Sequence, residues 1–155
     1  MLEKALEVYE NMKSENIEIS SITYGCLINA CIKNNNLQKF FELYRDLDHN
    51  NIEMNTVLYT TIIKAYSKTN NLLKVNEIFE KMKKDKNNLP NNVTYNSVID
   101  CCVKCNNMRE AEIKFSEMKF NKIKPDIITF STLIKGKIIF VLIKTFGLIF
   151  FSVNL

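Results

Sequence analysis

The stretch VTYNSVIDCCVKCNNMREAEIKFSEMKFNKIKPD, residues 93–126, decides how this sequence is read. In its first part Tyr95, Val98, Ile99 and Cys102 recur at i, i+3, i+4 and i+7, which places four apolar side chains on one face of an α-helix. Its second part repeats the device with Met108, Ala111, Phe115 and Met118. Between the two stand Asn106 and Asn107, and asparagine tolerates the left-handed backbone of a tight helix-to-helix turn. The stretch ends in Lys-Pro-Asp, where Pro125 stops a helix and the polar residue after it can cap the next. These 34 residues therefore spell one helical hairpin.

The same hairpin recurs on both sides. Its first phrase returns as ITYGCLINACIK from Ile22, VLYTTIIKAYSK from Val57 and ITFSTLIKG from Ile128. The second returns as LEKALEVYENMK from Leu2, LQKFFELYRDL from Leu37 and LLKVNEIFEKMK from Leu72. The aromatic residues Tyr24, Tyr59, Tyr95 and Phe130 keep spacings of 35, 36 and 35. Asn34-Asn35-Asn36 and Asn70-Asn71 supply the turns in the earlier copies. The array then occupies residues 1–136, as a partial unit (1–20), three full ones (21–55, 56–91, 92–126) and a partial one (127–136). The extra residue of the middle unit is expected in the loop at 85–88.

One hairpin cannot bury its own apolar faces, so neighbours must stack to complete a core. The expected fold is all-α, a right-handed α-solenoid of stacked antiparallel helix-turn-helix repeats. The first 20 residues supply only the second helix of a unit, which leaves Leu2, Leu6 and Tyr9 expected to be poorly covered. Either a special cap forms there or, as the spacing favours, the sequence is part of a longer array.

Composition agrees with this class. The 155 residues are 46% hydrophobic and 25% charged, with three Gly, two Pro and no Trp, a scarcity of turn formers that disfavours an all-β fold. The net charge of +4 is unevenly spread. Residues 1–55 carry five basic and nine acidic side chains, residues 56–155 sixteen and eight. A basic C-terminal part suits a polyanionic partner without naming it. Cys26, Cys31, Cys101, Cys102 and Cys105 are an odd set with no histidine beside them, since the one histidine is His49. They are expected to be reduced, helix-packing thiols rather than disulfide or metal ligands. No phosphate-binding glycine loop, nucleophile elbow or histidine–carboxylate cluster is present, so neither a catalytic residue nor a cofactor is expected.

The recurring phrase VTYNSVID…MREAEIKFSEMKFNKIKPD strongly resembles the pentatricopeptide repeat pattern, and the resemblance covers roughly residues 1–136. The tetratricopeptide pattern fits less well: its period is 34, and Ile28, Ile63, Ile99 and Ile134 stand where its glycine would be. The resemblance implies binding of single-stranded RNA, one base per repeat, read by a few side chains. It implies that the residue after the helix-opening aromatic and the last residue of the same repeat select the base. Those pairs are Gly25 with Asn55, which departs from the usual combinations, Thr60 with Asn91, associated with adenine, and Asn96 with Asp126, associated with uracil. Ser131 opens a final unit without its closing partner, and Ser20 closes a first one. It further implies that Ile22, Val57, Val93 and Ile128 sandwich the bases, unless they merely pack at helix starts. By the same resemblance the chain would act in mitochondria or plastids, with other RNA-processing proteins as further partners. A protein-interaction scaffold on the same repeats is the alternative.

Two features stand without the family. Lys33, Lys68 and Lys104 end successive first helices and are expected either to contact phosphate or to sit at helix ends where a cation favours the dipole. Beyond Gly136 the register is lost, and residues 138–155 form an eighteen-residue run with Lys144 its one charge, near the minimum for a membrane span. Placing Lys144 at mid-bilayer costs about 2.5–3.5 kcal/mol, which disfavours a membrane partner. A helix capping the array end and translated non-coding sequence are the other accounts of this tail, and the abrupt loss of register favours the last.

Overall fold

The computed structural model describes the backbone of residues 2–153, with side chains through Leu142. Eight helices lie among the described residues: α1 (Leu2–Ser14), α2 (Ser21–Lys33), α3 (Leu37–His49), α4 (Thr56–Lys68), α5 (Leu72–Lys84), α6 (Asn92–Lys104), α7 (Met108–Phe120) and α8 (Ile127–Val153). The first seven are each 13 residues long. Asparagine sets this length. Within each hairpin Asn35, Asn70 and Asn106 take left-handed backbone, with φ of 54°, 53° and 56°. The next residue, Asn36, Asn71 or Asn107, then accepts a backbone N–H with its side chain and caps the second helix. Such a cap contributes about 1 kcal/mol. The longer link of the middle unit runs over residues 85–91, against 50–55 and 121–126 in its neighbours.

The chain forms two compact units, Met1–Pro90 and Asn91–Leu155. In the first, α2 packs on α3 and beside α4, α4 packs on α5, and α1 lies against α2. Tyr24, Ile28, Phe40, Leu43, Ile62, Ile63 and Phe79 are fully buried there, and burying each such side chain contributes about 1.5–3 kcal/mol. Tyr66 inserts between Phe40 and Tyr44, edge-on to both at 5.0 and 5.5 Å. In the second unit α6 packs on α7 and beside α8, with Tyr95, Val98, Ile99, Cys102, Ala111 and Met118 excluded from solvent.

Two expectations are corrected, and the last helix adds a finding. Leu2 and Tyr9 are buried, because α1 turns that face toward the following repeat, where Tyr9 meets the Tyr24 ring edge-on at 6.0 Å. The face left open carries Val8 instead. Cys26 is exposed rather than a packing thiol, while Cys31, Cys101 and Cys102 are buried. The last helix does not stop at 13 residues but continues to Val153. Val141 stands where the earlier repeats have Asn35, Asn70 and Asn106, and a β-branched residue does not take the left-handed turn. Gly136 lets α8 pass close to its neighbours: a Cβ there would lie 2.4 Å from Met108 Sδ and 2.8 Å from Val103 Cγ2. Among the described residues no helix is long and apolar enough to cross a membrane. The side chains on which the tail's role depends lie in good part outside the described residues.

Candidate nucleic-acid interface

The closing residue of each repeat is also the N-cap of the next first helix. Ser20, Asn55 and Asn91 sit in extended backbone and accept the N–H of Thr23, Leu58 and Thr94. Asp126 Oδ1 accepts the N–H of Thr129 at 2.9 Å in the same way. A short oxygen-bearing side chain is favoured here for backbone reasons alone, to satisfy an N–H of the first helical turn.

The second unit brings the residues of one repeat together. Asn96 Nδ2 donates to Asp126 Oδ1 at 3.0 Å and to Asn92 Oδ1 at 2.9 Å. Asn92 Nδ2 in turn donates to the Lys124 carbonyl at 2.7 Å. Asn96 Oδ1 accepts from the hydroxyl of Thr129, a residue that is wholly buried. The backbone N–H of Thr129, with the Asn96 amide beside it, holds the Asp126 carboxyl below the usual carboxylate range, so it stays ionised at neutral pH. A cleft of about 260 Å³ opens over this group, lined by Asn92, Val93, Asn96, Ser97, Asp100, Asp126, Ile128 and Thr132. Two of the proposed sandwiching aliphatics and both selectors of the repeat therefore share one cleft.

The first unit arranges the equivalent residues differently. Gly25 lies in the middle of α2, and a Cβ added to it would meet nothing within 4 Å. Asn55 Nδ2 donates to Ser21 Oγ at 3.0 Å while its Oδ1 caps α4. Thr60 is nearly buried and its hydroxyl donates back to the Thr56 carbonyl at 2.8 Å. In the second unit Asn91 is exposed as the cap of α6, and Ser131 is exposed on α8. Openings in the first unit are lined by Lys13, Glu18, Tyr24, Asp46 and Asn50, about 400 Å³, or by Tyr44, Asp48, Lys81 and Asp85, about 260 Å³. They contain no residue singled out from the sequence for RNA contact.

The four aliphatics stand at the surface. Ile22 and Val57 are each 70% exposed, Val93 46% and Ile128 59%. The lysines divide. Lys33 ends α2 at the surface. Lys68 donates to the Ile32 carbonyl at 2.7 Å, at the negative end of α2, so for it the dipole reading describes the contact. Lys104 pairs with Asp100 across one turn at 2.5 Å.

Thr129 and Asn92 were not among the residues chosen from the sequence. The signal for Thr129 was available, since Thr23, Thr94 and Thr129 each stand three residues after a cap, where their N–H groups bond the cap side chain. Nothing in the sequence shows that Thr129 also reaches Asn96 of the preceding helix.

Three family models match the chain: the pentacotripeptide-repeat region of PRORP over residues 2–72, the pentatricopeptide repeat domain over 42–106, and the PPR repeat family over 90–137. No curated protein matches. Among solved structures, the maize pentatricopeptide repeat protein PPR10 superposes with a TM-score of 0.73 at 21% identity, over 83% of this chain and 18% of that one. PPR10 in complex with an 18-nt psaJ RNA element gives 0.72 at 21%, over 83% and 19%. The PPR domain of Arabidopsis thaliana protein-only RNase P 1 in complex with tRNA gives 0.77 at 15% identity, over 88% of this chain and 72% of that domain. This chain thus spans about a fifth of PPR10. The fold is that of an all-α helical-repeat solenoid, and by the repeat models that together match residues 2–137 this chain is a member of the pentatricopeptide repeat family.

Proposed function

We propose that this chain binds single-stranded RNA along its first helices, one base per repeat, and does no chemistry of its own. The observation that carries the reading is the exposure of Ile22, Val57, Val93 and Ile128. An aliphatic side chain left in water at the same position of four successive repeats is a surface awaiting a flat apolar partner, and a base face is one. In the second unit the hydrogen-bonding pair Asn96 and Asp126 lies in the cleft that Val93 and Ile128 line, so stacking and edge recognition can act on one ring. Two of the structural relatives are complexes with RNA.

The Asn96 and Asp126 pair, within one unit, selects uracil, and Thr60 favours adenine at the preceding step. The physical ground is complementarity: a carboxamide matches the amide-like edge of uracil, while the smaller hydroxyl of Thr60 leaves room for a purine. Organellar transcripts are the targets, with the chain acting in their processing, stability or translation.

Asn96→Thr is the test. Binding to short RNAs that differ at one step shifts from U toward G there, and an unchanged preference removes Asn96 from the reading role. Salt dependence reports on the lysines. Phosphate contact by Lys33, Lys68 and Lys104 together gives a log–log slope of about −2, at roughly 0.7 per contact, whereas Lys33 alone gives about −0.7.

A further inference from the structure

We propose that Lys64 holds an RNA phosphate on α4, in place of Lys68. This rests on the RNA-binding reading above and moves one backbone contact to a residue outside the lysines that end the first helices.

α4 is almost wholly enclosed. Of its 13 residues Val57, Lys64 and Lys68 are exposed, Thr56 is half-buried and the other nine are buried. Seven and eleven residues are close to two and three turns of an α-helix, so Val57, Lys64 and Lys68 share one narrow stripe. That stripe is the surface α4 shows to solvent, one aliphatic side chain followed by two ammonium groups. Lys64 stands four residues beyond Thr60, which makes the cation and the selector neighbours on the helix.

The two ammonium groups are not equivalent. Lys68 Nζ donates to the Ile32 carbonyl at 2.7 Å, in the last turn of α2, where unsatisfied carbonyls and the helix dipole both favour a cation. To take a phosphate it must break or share a charge-assisted hydrogen bond. Among the described residues neither a hydrogen bond nor an ion pair engages Lys64. A nucleotide whose base meets Val57 and Thr60 brings its phosphate to this stretch of helix, and of the two lysines Lys64 gains a partner without losing one.

The later repeat fills the same stripe differently. On α6, Val93 and Lys104 are exposed, and the half-buried Asp100 stands where α4 has Lys64. Asp100 lines the cleft with Val93, Asn96 and Asp126, so this position of a first helix faces the place where a base is read. It also pairs with Lys104 at 2.5 Å. There the stripe meets RNA with its cation already neutralised, whereas on α4 both charges are positive and one is unengaged.

The experiment titrates a short fluorescein-labelled single-stranded RNA, bearing one A-U step, with the full 155-residue chain by anisotropy over a series of salt concentrations. Lys64→Gln is expected to make the log–log slope shallower by about 0.7, so that its affinity deficit shrinks about 2.5-fold between about 50 and 200 mM salt. Its thermal midpoint stays where it was, because Lys64 supports no contact in the fold. Lys68→Gln is expected to keep the slope and lower the midpoint, because the Ile32 carbonyl loses a charged donor. Lys84→Gln removes the same charge from the exposed end of α5 and is expected to change neither, which separates position from net charge. An unchanged slope in Lys64→Gln, or an equal loss of slope in Lys68→Gln or Lys84→Gln, overturns this inference and leaves RNA binding intact. A wild type that binds no RNA overturns the RNA-binding reading, and this inference with it.

Discussion

The repeats at 21–55 and 92–126 share their frame and differ in what they place on it. Both have 13-residue helices, a left-handed asparagine in the turn, a polar cap closing the unit and an exposed aliphatic near the first helix start. Over that frame the later repeat sets Asn96, Asn92, Asp126 and Thr129 in one bonded group. The earlier repeat has Gly25 with open space beside it, and the buried Leu58 where the later one has Thr129. The scaffold is thus the repeating quantity, and chemical identity is added by a few side chains that the scaffold does not need. A repeat can be architecturally complete and still have nothing to say about a base.

The sharpest way to break the comparison is at the tyrosine that ties each first helix to its second. In the earlier repeat Asp46 accepts from the Tyr24 hydroxyl at 2.7 Å, from Tyr9, and from Lys13 at 3.0 Å. In the later one Tyr95 reaches Glu117 at 3.4 Å and keeps a second bond from Asn121 at 2.8 Å. Asp46→Ala is expected to cost about 2–3 kcal/mol in denaturant unfolding, because a charged acceptor is lost and a buried hydroxyl stranded, whereas Glu117→Ala costs about 0.5–1 kcal/mol. Equal losses would show that the two ties are equivalent.

Acid tests the same tie. Burial raises the Asp46 pKa, but the bonds from Tyr9, Tyr24 and Lys13 outweigh it and bring it to about 2, against an ordinary 3.8. A depressed carboxyl stabilises the folded state fully above its unfolded value, and that contribution is lost as pH falls from about 3.8 through about 2. Asp46→Asn should flatten the loss over that window, and an unaltered acid profile would exclude Asp46 as its source.

A smaller effect separates two glycines that the sequence presents alike. Gly136→Leu drives new atoms into Met108 and Val103 and is expected to cost about 1–3 kcal/mol. Gly25→Ala enters empty space in the middle of a helix and is expected to stabilise by about 0.5–1 kcal/mol. Thermal midpoints moving in the same direction would refute the contrast.

The finest test tries to turn one repeat into the other. Gly25→Asn with Asn55→Asp supplies the selector pair of the later repeat, and a preference for U of about threefold is expected at the first step. It should stay below that of the native repeat because Leu58 has no hydroxyl to bond the amide as Thr129 does. Anisotropy with RNAs varied at that step measures it, and full native discrimination would mean that the bond between Thr129 and Asn96 is dispensable for it.

Most of the fold was legible because its determinants are local. Apolar spacing fixed each helix face, and the asparagine pairs marked turns that the backbone then took at Asn35, Asn70 and Asn106. The loss of register beyond Gly136 was legible too, but not the run of α8 to Val153 that accompanies it. The burial of Leu2 and Tyr9 was not, because amphipathicity tells that a helix has an apolar face without telling which neighbour covers it. The lysines show the same limit from the polar side: Lys68 finds a carbonyl on the preceding first helix, 36 residues back, and no periodicity contains that acceptor.

The sequence by itself determined the repeat, its period, its helices and the positions where a base could be read, since each follows from spacing within one hairpin. The tertiary structure decided which of those positions are solvent-facing aliphatics and which lysines are already engaged. It also decided that Asn96 bonds Thr129, 33 residues away. A hydrogen bond needs two groups within about 3 Å and in line, and chain separation says nothing of that until neighbouring repeats are stacked.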